Sequence, residues 1–106
     1  MPKYLIVANY TSDGVKGVLA AGGSAREAAV AGSVAALGGS LESFYFGFGG
    51  DDAYVVVDLP DNVAAASIAM QVGASGMAST RTVVLLTTEE IDRAAKTPNV
   101  YRPPGS

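Results

Sequence analysis

A glycine-rich turn between two apolar segments is the feature that most constrains the fold of this chain. Leu41–Phe48 is rich in aromatic residues, and Ala53–Leu59 is rich in valine. The four residues between them, Gly49–Asp52, are of the types that tight turns require. This pattern predicts a β-hairpin, formed by the second and third strands of a sheet.

Two more segments have the composition of strands. Lys3–Tyr10 carries apolar residues on both faces, which indicates a strand covered on both sides near the centre of the sheet. Arg81–Thr87 is a run of β-branched and apolar residues that predicts the last strand. Together with the hairpin, these segments predict a four-stranded sheet.

Capping residues and glycines mark two helices between the first strand and the hairpin. Thr11–Asp13 can cap a short first helix, which Gly22 and Gly23 end. Ser24 and Glu27 have the spacing of a capping box, in which each side chain bonds the other residue's backbone N–H group. A second helix is therefore predicted to start at Ser24.

Two further helices are predicted after the hairpin. Pro60 and Asp61 are typical of a helix start, and Gly76 can end that helix in a left-handed conformation. Thr87 and Glu90 form a second capping-box pair, which predicts a last helix.

The resulting order is strand, split helix, strand, strand, helix, strand, helix. It predicts an α+β fold of the ferredoxin-like βαββαβ type, with a four-stranded antiparallel sheet, helices on one face and an extra C-terminal helix. Residues 1–98 are expected to form this domain, and residues 99–106 an extended tail, because the tail contains paired prolines.

The other face of the sheet needs a cover. Alternation along the second strand divides its side chains into two sets, which are Glu42, Phe44, Phe46 and Phe48, and Ser43, Tyr45 and Gly47. Neither set is polar enough for a face in water, and charged residues make up only 16% of the chain. This favours a homodimer or larger homo-oligomer in which copies cover each other. The alternative is that the aromatic residues fill the core of a single chain.

Composition excludes several classes of function. The net charge is −3 without a basic run, so neither nucleic acid nor a membrane surface is an expected partner. The chain has no cysteine and no histidine, so it lacks thiolate chemistry and the commonest general base and metal ligand. We expect no cofactor and no metal. The first residues resemble a strand rather than a signal peptide, which makes the cytoplasm the expected location.

Polar and aromatic side chains within the strands are the candidates for ligand binding. They are Tyr10, Tyr45, Tyr54, Asp58 and Arg81, and each of them could instead have a role in the core or in an interface. No catalytic residue is predicted.

Two glycine-rich segments allow both a functional and a structural interpretation. Gly49 and Asp52 are interpreted as structural turn residues, although Asp51 and Asp52 together could contact a hard cation. Gly22–Ser24 could present backbone N–H groups to an anion, with help from Arg26, or could only break the helix.

The segments YLIVANYTSDGVKG, GGSLESFYFGFGGDDAYVVVDLPD and RTVVLLT, in this order, resemble the GYD domain family. That family is ferredoxin-like and is grouped with the dimeric α/β-barrel proteins. One position departs from the pattern, because Asp51 stands where the turn that names the family has tyrosine. The resemblance covers nearly the whole chain and implies the fold and a dimer or larger assembly, but no particular activity.

Three functions are compatible with these observations. The domain could bind a small apolar or aromatic metabolite at the sheet face or subunit interface without catalysis, or it could serve assembly only. Alternatively, it could be a cofactor-independent oxygenase or isomerase whose acid-base groups come from Tyr10, Tyr45, Asp58 and Arg81. The enzyme hypothesis requires a polar pocket that contains at least two of these four groups.

Overall fold

A computed structural model describes all residues, Met1–Ser106. The four strands are β1 (Lys3–Tyr10), β2 (Ser40–Phe46), β3 (Ala53–Asp58) and β4 (Ala78–Leu85). The four helices are α1 (Ser12–Ala21), α2 (Gly23–Ala36), α3 (Asn62–Ser75) and α4 (Thr88–Lys96). None of these helices combines the length and apolar character needed to cross a membrane.

The strands form one sheet in the order β2-β3-β1-β4, and every neighbouring pair is antiparallel. The first crossover, through α1 and α2, leads from β1 to β2 past β3, and the second, through α3, leads from β3 to β4 past β1. The predicted α+β ferredoxin-like fold is therefore confirmed.

The core lies between the sheet and helices α2 and α3. Tyr4 and Ile6 of β1 and Val55 and Val57 of β3 pack with α2 and α3 side chains that include Val34. Tyr4 is only 1% exposed, and its hydroxyl donates a 2.6 Å hydrogen bond to Oδ1 of Asn62 at the start of α3. This bond satisfies the polar end of a buried aromatic ring.

A β-bulge in β2 corrects the predicted division of its side chains. Leu41 pairs with Val57 and Ser43 pairs with Val56, so the residue between them is an insertion in the ladder. The insertion places Leu41 and Phe44 together on the core side, and Glu42 bonds Lys3 instead of sharing the face of Phe44. The bulge interrupts the strict alternation on which the prediction relied.

The helix ends confirm some capping predictions and overturn one. Asp61 accepts a hydrogen bond from the backbone N–H of Ala64, and Thr87 and Glu90 form the predicted capping box. The pair of Ser24 and Glu27 forms none, because α2 begins at Gly23 with Gly22 as its N-cap. Ser24 therefore already lies inside the helix and cannot be its N-cap.

Strand boundaries also differ from the predictions, and the start of β4 and the end of β2 are two examples. The strand β4 begins at Ala78 rather than Arg81, because Ala78–Thr80 continue the pairing with the end of β1. The strand β2 ends at Phe46, so Phe48 lies fully exposed in the loop. In both cases the extent of the neighbouring strand, rather than local composition, sets the boundary.

Candidate functional site

None of the crossover helices α1, α2 and α3 covers the sheet face opposite the core, and we call this face the open face. Its members alternate along the strands with the core-facing residues and pair with one another across the sheet, and they are Lys3, Leu5, Val7, Asn9, Ser40, Ser43, Tyr45, Tyr54, Val56, Asp58, Ser79, Arg81, Val83 and Leu85. The middle of this set is aromatic and aliphatic. The charged members lie toward the strand ends or at the sheet edge.

Three of the predicted ligand-binding residues lie in one row across the open face. Arg81 pairs with Val7, Val7 pairs with Tyr54, and Tyr54 pairs with Tyr45. Tyr45 is 71% exposed and Tyr54 is 39% exposed, whereas Val7 between its larger neighbours is only 1% exposed. We call these four residues the transverse row.

Asp58 does not join this row. It lies four residues along β3 from Tyr54, or about 13 Å at the rise of an extended strand. Its carboxylate accepts a 3.0 Å hydrogen bond from Nζ of Lys3, which also donates a 2.7 Å bond to Glu42. The bonds to Glu42 and Asp58 raise the pKa of Lys3 above its usual value. Asp58 is thus part of an ion-pair cluster at one end of the open face.

The aspartates of the hairpin loop contact residues of β1 and β4. The carboxylate of Asp52 accepts a 2.8 Å hydrogen bond from the backbone N–H of Tyr10. Oδ1 of Asp51 accepts a 2.9 Å bond from Asn9, and its other oxygen lies 3.7 Å from Arg81. No group of three acidic residues arranged to hold a metal ion occurs in the chain. Asp52 therefore ties the loop to β1, where the sequence suggested a role within the turn.

Tyr10 lies apart from the other candidates, on the helix-covered side of the sheet. It lines a cleft of about 580 Å³ between α1, α2 and the end of α3. Its ring centroid is 6.5 Å from that of Phe46. Burial raises the pKa of the Tyr10 phenol, the nearby Asp52 adds to this effect, and Arg26 opposes it. A tyrosine hydroxyl is protonated at neutral pH even with its ordinary pKa, and the raised pKa keeps this one able to donate a hydrogen bond there.

Arg26 is the only cationic residue that lines the cleft. It lies beside Tyr10, and no carboxylate of the chain is within ion-pairing distance of it. The sequence suggested Arg26 only as a side chain that could help Gly22–Ser24 to bind an anion, and it did not predict the cleft. A signal was present in the small residues of two successive helices, which recur at helical spacing as Gly14, Gly17 and Ala21, and as Gly22, Ala25 and Ala29.

The predicted acid-base groups do not converge on one pocket. Tyr10 lines the cleft, whereas Tyr45, Asp58 and Arg81 belong to the open face on the opposite side of the sheet. The arrangement that the enzyme hypothesis requires is absent from the single chain. The cleft and the open face are the two candidate sites that the geometry offers.

Comparison with known proteins identifies the family. The family model for the GYD domain matches residues 4–95, which is nearly the whole chain. Comparisons with curated proteins and with solved structures gave no match. The resemblance drawn from the sequence motifs is confirmed, and the chain belongs to the GYD domain family.

Proposed function

We propose that this domain functions as a homo-oligomeric module in which a second copy of the chain covers the open face. The observation that carries the proposal is the large surface of the single chain. Its accessible area is 7086 Å², and only 13 of its 106 residues are buried. A monomeric globular protein of 10.7 kDa is expected to expose about 5,500 Å².

The excess is about twice the area that one partner buries in a standard interface. It amounts to about 1,600 Å² per chain, whereas a standard protein–protein interface buries about 800 Å² per partner. The radius of gyration, 16.8 Å, also exceeds the value of about 13 Å for a compact domain of this length. A second copy that buries a standard interface would therefore cover about half of this excess.

Two regions with exposed apolar side chains contribute to this surface. One is the open face, on which Tyr45, Tyr54 and Val83 are exposed. The other is α4, which has no buried residue and leaves Ile91 half-exposed. Aromatic residues commonly carry much of the binding energy of an interface, and Tyr45 is the more exposed of the two tyrosines on the open face, which makes it the preferred position for a test.

The distribution of charge fits association through the middle of the open face. Lys3 is paired with Glu42 and Asp58 at one end, and Arg81 lies near Asp51 at the other. An apolar centre with paired charges around it is the usual anatomy of a protein interface.

Replacement of Tyr45 by arginine tests the proposal. Tyr45 is already largely exposed in one chain, so Tyr45→Arg is expected to leave the fold intact. Unpaired guanidinium groups buried between two copies would disfavour association. We expect light scattering with size-exclusion chromatography to give about twice 10.7 kDa or more for the wild type, and a shift to 10.7 kDa for the variant.

Met70→Arg is the matched control, since Met70 is 74% exposed on α3, on the other side of the sheet. This variant should keep the wild-type mass. A wild type that stays at 10.7 kDa at millimolar concentration would refute self-association. Dissociation of Met70→Arg but not of Tyr45→Arg would place the interface on the helices instead.

A further inference from the structure

The geometry points to a second site, independent of the open face, in the cleft between α1, α2 and α3. We propose that this cleft binds a small apolar molecule with a single negative charge, and that Arg26 and Tyr10 contact the charged group. The cleft lies on the helix-covered side of the sheet. It therefore stays available when a second copy covers the open face.

The volume and walls of the cleft suit a small molecule. Its volume, about 580 Å³, lies within the range of roughly 300–1,000 Å³ that is common for ligand pockets. Glycine and alanine form much of the wall, because Gly17 and Ala21 of α1 lie across from Ala25 and Ala29 of α2. A Cβ atom added at Gly17 would have no neighbour within 4 Å, so the space beside this helix is open.

Two hydrogen-bond donors, Arg26 and Tyr10, lie side by side in the cleft. The guanidinium of Arg26 has no carboxylate partner in the chain, and the protonated hydroxyl of Tyr10 lies beside it. Arginine can present two parallel N–H groups to a carboxylate, and such charge-assisted bonds are roughly twice as strong as neutral ones. The pair thus fits a carboxylate or a similar monoanion.

Charge and shape limit the ligand further. Asp13 is the other charged residue of the lining, so the cleft as a whole is neutral and disfavours multiply charged anions such as nucleotide phosphates. Tyr10 and Arg26 also border a narrower apolar recess of about 60 Å³ that reaches Phe44 and Ile68 of the core. An apolar body next to one acidic group matches these surroundings.

Titration with 1-naphthoate, monitored by ¹⁵N NMR of the full chain, tests this site. We expect shifts in the amide signals of Tyr10, Gly17 and Arg26, and weaker binding of the neutral analogue 1-naphthamide. Arg26→Gln should weaken the binding of 1-naphthoate at least tenfold, because it removes a charged hydrogen-bond donor. The affinity for 1-naphthamide should differ much less between Arg26→Gln and the wild type.

A leucine that fills the cleft provides the second variant. Gly17→Leu should abolish binding while the signals of the folded protein remain, since the position is helical and open. Gly32→Leu is the matched control, because Gly32 of α2 is also helical and open but does not line the cleft. It should bind 1-naphthoate as the wild type does.

Three results would overturn the proposal: no shifts at millimolar 1-naphthoate, shifts confined to the open face or α4, or unchanged binding by Gly17→Leu. Equal affinities for 1-naphthoate and 1-naphthamide would refute the part assigned to Arg26. The mass in light scattering should be the same for Gly17→Leu and the wild type, so failure of this site is distinguishable from failure of self-association.

Discussion

Alanine substitutions at two glycines of α1 should change the stability of the protein in opposite directions. Gly14 and Gly17 are one helical turn apart, and both substitutions remove the conformational freedom of a helical glycine. Alanine is more favourable than glycine in a helix by about 0.8–1 kcal/mol. With nothing within 4 Å of a Cβ atom at Gly17, Gly17→Ala should increase the free energy of unfolding by about this amount.

The surroundings of Gly14 reverse the sign. A Cβ atom there would lie 2.0 Å from the carbonyl oxygen of Met77, at the entry to β4. To reach an ordinary contact distance, α1 and this segment would have to separate by about 1.4 Å. The same carbonyl accepts a 2.9 Å hydrogen bond from the backbone N–H of Thr11, and the separation would lengthen or break it.

The size of the effect follows from these contacts. Overpacking costs about 1–3 kcal/mol, and the loss of a typical hydrogen bond costs about 0.5–1.5 kcal/mol. After subtraction of the helical gain, Gly14→Ala should lose about 2 kcal/mol or more of unfolding free energy. The two variants should therefore differ by about 3 kcal/mol, or roughly 12–24 °C in Tm for a domain of this size.

Differential scanning calorimetry at one fixed protein concentration would measure the difference, since the Tm of an oligomer depends on concentration. Urea unfolding gives an independent value. The reasoning would be refuted if Gly14→Ala were as stable as Gly17→Ala, because the close contact between α1 and Met77 would then not exist in the folded protein.

Two predictions concern the helix starts. Asp61→Ala should reduce the free energy of unfolding by about 1 kcal/mol in urea, whereas Asp61→Asn should lose much less because asparagine is an equally good N-cap. An equal loss in both variants would contradict a capping role. The bonds that Glu90 accepts from the backbone N–H of Thr87, together with the neighbouring Thr87 side chain, hold the pKa of its carboxyl below the usual 4.5. A pKa that is lower in the folded than in the unfolded state stabilises the folded state at pH values above the unfolded-state pKa. The backbone amides in the first turn of α4 should therefore lose protection from hydrogen exchange as the pH falls through the lower, folded-state pKa. A pKa of 4.5 or higher for the Glu90 carboxyl in an NMR titration would exclude the capping box in solution.

The sequence predicted the fold because its local signals agree with one another. The turn residues of the hairpin, the Asp61 cap and the Thr87–Glu90 box each specify one local conformation, and the structure contains all of them. The details that were wrong depend on contacts between distant residues. Glu42 lies beside Lys3 because a bulge interrupts alternation, and a bulge has no reliable mark in composition.

The candidate site was harder to predict than the fold. Reasoning from strand side chains selected groups that lie on two opposite faces of the sheet, and only Tyr10 lines the cleft. The cleft exists because glycine and alanine leave space that larger side chains would fill. In a sequence, single small residues such as Gly17 and Ala25 most often indicate only the close packing of helices. Only the packed arrangement of three helices shows which of them leave a volume unfilled.

The two outer strands of the sheet differ in a way that limits how the sheet can be extended. β2 carries the bulge and the charged Glu42, and both features discourage pairing with a foreign strand. β4 has a regular ladder with β1 and exposes Val84, so its free side presents ordered backbone N–H and C=O groups. Any lateral addition, by a peptide or during aggregation, would therefore take place along β4.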